Sequence, residues 1–154
     1  MRLLLIFIVL SAIPILAVPV DSRKEAKALY DSSLRQDDVR AIETLQKARS
    51  LDPDNADIVY RIGFLYHKMN RLREAETYYN DVIEMHSCME KAHNNLGSIL
   101  LARNEVEKAA EHYTAAIRCN PGSVTAIYNL ANIRSDQGQD SEAIELYKQA
   151  VNRA

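Results

Sequence analysis

Residues 90–123 read EKAHNNLGSILLARNEVEKAAEHYTAAIRCNPGS, from Glu90 to Ser123. Within this stretch Leu96-Gly97, Ala109, Tyr113, Ala116 and Pro121 stand out, because each has a counterpart 34 residues away or, for Pro121, two such steps away at Pro53, with Ser87 between. Ala41, Ala75, Ala109 and Ala143 lie on that step. Tyr79, Tyr113 and Tyr147 form a second column, with Leu45 in the earliest copy. Ala48, Val82, Ala116 and Ala150 form a third, and Gly63, Gly97 and Ala131 a small-residue column that Leu29 breaks. Self-similarity at a fixed period of this size marks an array of supersecondary units. The repeats fall at residues 22–55, 56–89, 90–123 and 124–154.

Each unit reads as two helices. Ile58, Ile62, Leu65 and Tyr66 keep helical spacing, as do Ala75, Tyr78, Tyr79, Val82 and Ile83. Asn70, Asn104 and Gly138 share the column between the two helices, and these residue types tolerate the left-handed conformation that ends a helix. Pro53 and Pro121 follow the second helix and cannot continue it. The small columns let the paired helices approach closely, and the Tyr column fills space between neighbouring repeats.

Composition agrees. Hydrophobic residues are 47% and charged residues 26% of the 154, which is globular rather than disordered. Gly 4 and Pro 4 are too few for a turn-rich β-sandwich or barrel. A net charge of −2 carries no basic excess, so nucleic acid is not an expected partner. The beginning of the chain is of another kind. Arg2 precedes an uncharged run from Leu3 to Val20, with Pro14 and the small residue Ala17 late in it. That order predicts a secretory signal over residues 1–17. An uncleaved anchor reaching about residue 20 is the alternative, and it alone would bring a membrane into play.

The residues above resemble the tetratricopeptide repeat family over about residues 22–154. The resemblance implies an all-α fold, a right-handed α-solenoid of about four helix-turn-helix repeats whose first helices line a concave groove. The first repeat is degenerate in its first helix. The family's aromatic near the start of the first helix is replaced by Val59, His93 and Ile127. The last repeat, 124–154, is truncated and uncapped, which predicts an exposed apolar face able to meet a partner or a second copy.

The resemblance also implies which side chains face the groove. Carried over, these include Tyr60, Arg61 and Phe64 of the second repeat and Lys91, Asn94, Asn95 and Ser98 of the third. In the fourth they are Tyr128, Asn129 and Asn132. Asn95 and Asn129 stand one repeat apart and resemble the asparagine ladder of superhelical family members. Such side chains can pair with the backbone of an extended peptide, since each carries donor and acceptor. Tyr60, Arg61 and Phe64, with Lys27, Lys68 and Lys91 nearby, suit a ligand with apolar side chains and an acidic end. The carboxylate clamp of the family's heat-shock chaperone adaptors is not matched. In its columns stand Tyr60, Phe64, Asn95, Thr125 and Asn129, of which only Asn95 agrees.

Nothing points to chemistry. His86, Cys88 and His93 lack zinc-ligand spacing, so no metal or cofactor is expected. No nucleophile–base set and no phosphate loop occurs, so no catalytic residue is assigned. His93 reads as a buried, satisfied core residue and His112 as solvated. Glu105, Glu107 and Glu111 read as a solvated helix face. Cys88 and Cys119 are 31 apart near the same end of neighbouring repeats. A bridge is conceivable in an oxidising compartment, but adjacent helices lie about 8–10 Å apart while a disulfide needs Cα atoms within about 7 Å, so two free, partly buried thiols are the favoured expectation. The expected function is that of an exported, non-enzymatic module that binds a peptide or partner protein in its groove. A structural subunit of a membrane or envelope assembly is the alternative.

Overall fold

The computed structural model describes residues 19–153; the expected signal segment, 1–17, lies outside them. The described residues form eight helices. These are α1 (Val20–Ser33), α2 (Asp38–Leu51), α3 (Ala56–Lys68), α4 (Leu72–Met85), α5 (Glu90–Ala102), α6 (Val106–Cys119), α7 (Val124–Asp136) and α8 (Asp140–Val151). They pack as four antiparallel hairpins stacked in chain order, an all-α solenoid of repeats. No described helix is long and apolar enough to cross a membrane.

Three of the four hairpin turns have one cause, the exception being the turn between α1 and α2. Asn70 (φ 58°), Asn104 (φ 63°) and Gly138 (φ 72°) sit in the left-handed region. There the amide of the following residue reaches back to a carbonyl of the last helical turn. Arg71 N–H donates to Tyr66 O at 2.9 Å, Glu105 N–H to Leu100 O at 2.9 Å, and Gln139 N–H to Arg134 O at 2.8 Å. This closes the orphan carbonyls of the first helix and turns the chain within a few residues. Asp37 and Asn55 cap α2 and α3 by accepting from Arg40 N–H and Ile58 N–H.

Small residues set the hairpin spacing. Ala41, Ala75, Ala109 and Ala143 are all buried. A Cβ on Gly97 would lie 2.9 Å from Tyr113 Cε1, and one on Gly63 would lie 3.1 Å from Tyr79 Cε1. The glycine column is therefore the seat of the tyrosine ring from the second helix of the same repeat. Tyr79 and Tyr113 are almost wholly buried, and Tyr79 also reaches the next repeat through its hydroxyl. Ile58, Ile62, Leu65, Leu96, Ile99, Ile127 and Ile133 complete a continuous core along the stack, each worth about 1.5–3 kcal/mol of transfer free energy.

The cysteines overturn the expectation of free thiols. Cys88 and Cys119 form a disulfide with Cα atoms 5.2 Å apart. The expectation failed because it placed both residues on helix axes. Helix α4 stops at Met85, so Cys88 rides on the loop before α5 and is carried to the end of α6.

Candidate functional site

The first helices α3, α5 and α7 are joined side by side by polar contacts along one face. Asn95 Nδ2 donates to Tyr60 Oη at 3.0 Å and to Tyr79 Oη at 3.2 Å. Asn129 Nδ2 donates to Asn94 Oδ1 at 3.5 Å. Ser98 and Tyr113 hydroxyls meet at 3.2 Å, and Tyr147 O–H donates to Asn132 Oδ1 at 2.6 Å. Of the expected groove residues, Tyr60, Asn94, Asn95 and Asn129 are thus brought together across α3, α5 and α7, while Ser98 and Asn132 bond within their own repeats. Burial pushes the hydroxyls of Tyr60, Tyr79 and Tyr113 above the ordinary tyrosine value, so all three stay protonated and can both donate and accept.

This geometry changes what the asparagines can offer. Both amide hydrogens of Asn95 are taken by tyrosines of the second repeat. Asn95 therefore keeps only its carbonyl oxygen outside this network, and the Nδ2 of Asn132 donates to no tyrosine of it. No sequence signal marks this, because Tyr60 and Tyr79 belong to different columns and meet only when α3, α4 and α5 stack.

Of the aromatic–cation group, Tyr60, Arg61 and Phe64 are brought together. Tyr60 and Phe64 stack with ring centroids 6.5 Å apart, and the Arg61 guanidinium lies 5.4 Å from the Phe64 centroid. Arg61 Nε is buried without a hydrogen-bond partner. Phe64 and Tyr128 are exposed at 38% and 53%, large values for aromatic side chains. Lys91 is exposed, whereas Lys68 is spent in an ion pair with Asp38 at 2.8 Å. At the α1 end the strip opens into a cleft of ≈ 380 Å³ lined by Arg23, Lys27, Tyr30, Asp52, Asn55 and Asp57. Its charges are mixed, and Arg23 lies 3.7 Å from the buried Asp52.

His93 is buried, as its column predicts, but His112 is not solvated. It is half-buried and its Nδ1 lies 3.0 Å from Nδ1 of His93. Of the three glutamates read as a solvated face, Glu107 and Glu111 are exposed, and Glu105 accepts from Lys108 Nζ at 2.7 Å. Among the described residues no group of three or more His, Cys, Asp or Glu could hold a metal ion.

Family models for the tetratricopeptide repeat match residues 35–70, 60–124 and 95–154. The chain belongs to the tetratricopeptide repeat family. It is 32% identical over 108 residues to the human Protein O-mannosyl-transferase TMTC3, a match covering 70% of this chain and 12% of that protein. It spans less than a fifth of the curated relatives it matches. Among solved structures it is similar to MamA, with TM-score 0.70 and 25% identity over 86% of this chain and 75% of that one. The first such domain of Spaghetti (RPAP3), bound to an HSP90 peptide, superposes with TM-score 0.70 at 19% identity, covering 75% of this chain and 95% of that one. Arrays of this family act in general as interaction modules rather than as catalysts.

Proposed function

We propose that this chain is an exported, non-enzymatic module that holds a peptide segment or partner protein in the groove formed by α3, α5 and α7. The carrying observation is the pair of exposed aromatic side chains, Phe64 and Tyr128, set on a scaffold of hydrogen-bonded tyrosines and asparagines. The internal network fixes rotamers before any ligand arrives, which lowers the ordering cost of binding. Phe64 and Tyr128 supply apolar contact area. Arg61 and Lys91 supply positive charge, and the Asn95 carbonyl and Asn132 amide supply backbone-compatible polar groups. A fold that holds a peptide in the Spaghetti (RPAP3) domain can do so here by a different side-chain set, since the clamp columns differ. Export is supported by the uncharged segment Leu3–Val20 and by the Cys88–Cys119 bridge, a bond that persists in oxidising compartments.

The test is panning of a displayed random-peptide library against the chain. Enriched peptides should lose about thirtyfold or more in affinity with Phe64→Ala or Tyr128→Ala, the size of a binding hot spot. They should keep their affinity with Val151→Ser, far along α8. Equal affinity for all three variants would move the ligand off the groove.

Assembly is the second reading, favoured by Ile144 and Val151, which are 51% and 74% exposed on α8. Concentration-dependent sedimentation abolished by Ile144→Lys would support it.

A further inference from the structure

His93 on α5 and His112 on α6 face each other ring to ring, with centroids 5.2 Å apart and planes at 37°. His93 Nε2 lies 3.1 Å from the Ser87 carbonyl. A carbonyl only accepts, so Nε2 of His93 carries its proton and, in the neutral ring, Nδ1 is a lone pair. That lone pair accepts from Nδ1–H of His112, 3.0 Å away. The pair has room for one added proton. If His112 takes it, the charge sits on a ring whose Nδ1–H still donates to His93. If His93 takes it, the bond reverses and His112 keeps its hydrogen on Nε2. A second added proton places N–H against N–H at that distance, between two cations, and the bond cannot survive.

We propose that the His93–His112 pair is an acid-operated latch between α5 and α6, closed while it holds at most one added proton and opened by the second. The pair ties the first turn of α5 to α6 and, through Ser87, to the loop that carries Cys88. α5 also bears Asn94, Asn95 and Ser98, so the element loosened by acid is one wall of the groove.

The surroundings do not counter the effect. Burial first, and the neighbouring His93 second, hold His112 below its ordinary value of 6.5, while Glu111 on α6 pulls the other way from an exposed position. Glu90, one turn before His93 on α5, accepts from the Ser123 hydroxyl at the start of α7 and is engaged there. His86, at the end of α4, is exposed to solvent, and the two cysteines are bridged and do not titrate. The sign follows from linkage. The unfolded chain takes two protons on these rings and the closed pair only one. Stability is therefore intact above the ordinary histidine range and falls as pH drops below about 6.5, by close to tenfold in the folding equilibrium per pH unit. His67, held below its ordinary value by burial, adds a loss in the same direction.

The experiment is urea unfolding of the full chain, disulfide intact, at intervals from pH 7.5 to pH 5, for the natural sequence and for His112→Asn. An Asn amide can donate to His93 Nδ1 or accept from it by flipping, and it does not titrate. Below about pH 6.5 the natural chain should lose close to tenfold more per pH unit than the variant, with no difference in slope above it; the His67 share is common to both and cancels. Equal slopes would overturn the proposal. Should His112→Asn not fold, nitrogen NMR of the natural chain's imidazoles decides. The expected result at pH 7.5 is Nε2–H on His93 with Nδ1–H on His112, and a two-step titration. Two rings titrating independently, each with its proton on Nε2, would overturn it.

Discussion

Replacing both bridged cysteines, Cys88→Ser with Cys119→Ser, should remove a large share of the stability of the array. The bridge spans a sequence separation of 31, so the loop it closes in the unfolded chain has about 32 residues. The chain-entropy relation for such a loop gives about 12 cal/mol/K, or about 3.7 kcal/mol at 25 °C. Single domains are stable by only about 5–15 kcal/mol, so this is a quarter or more of the total. The serines restore no lost contact and open no large cavity, because Cys88 is exposed and Cys119 half-buried. The assay is urea unfolding followed by circular dichroism, on oxidised natural chain and on the double variant at one pH. For a chain of this size the midpoint should fall by roughly 2 M. A difference under about 1 kcal/mol would refute the entropic reasoning, since that is well below the range observed for native bridges. Full alkylation of both thiols in the natural chain without reductant would refute the bridge itself.

Two further outcomes follow from the hairpin geometry. Gly97→Ala should destabilise by about 1 kcal/mol, because the new Cβ meets the buried Tyr113 ring at 2.9 Å and overpacking of 1–3 kcal/mol outweighs the better helix propensity of Ala; thermal unfolding reads it. Asn104→Ala should cost about 1 kcal/mol, because Asn104 sits at φ 63°, while Asn104→Gly should hold or raise the melting temperature.

Much of the architecture was legible because the sequence carries its packing constraints in fixed columns. A residue without a Cβ is required where the Tyr79 and Tyr113 rings lie, so Gly63 and Gly97 recur at the repeat period. A left-handed residue closes each of the last three hairpin turns, so Asn70, Asn104 and Gly138 recur as well. What escaped the reading depends on contacts between columns. The disulfide needed the position of a loop rather than of a helix axis. The engagement of His112 needed the rotation of α6 against α5, because His112 has no histidine counterpart in its column to suggest a role. Among the expected groove residues, what the sequence could not convey is how many of their polar groups are already engaged. Asn95 is held by two tyrosines whose hydroxyls reach it from different helices. Lys68 is neutralised by Asp38 from the preceding repeat.

The bridge between the loop after α4 and the end of α6 has a mechanical consequence. When an array of this kind is pulled from its two ends, each hairpin yields in turn and the contour lengthens by about 3.5 Å per freed residue. The segment between Cys88 and Cys119 lies outside that line of force, because tension crosses from one sulfur to the other. An oxidised chain would stop about 100 Å short of a reduced one at full extension. The helices α5 and α6, which carry the centre of the groove and the histidine pair, would be shielded from the load that unravels their neighbours.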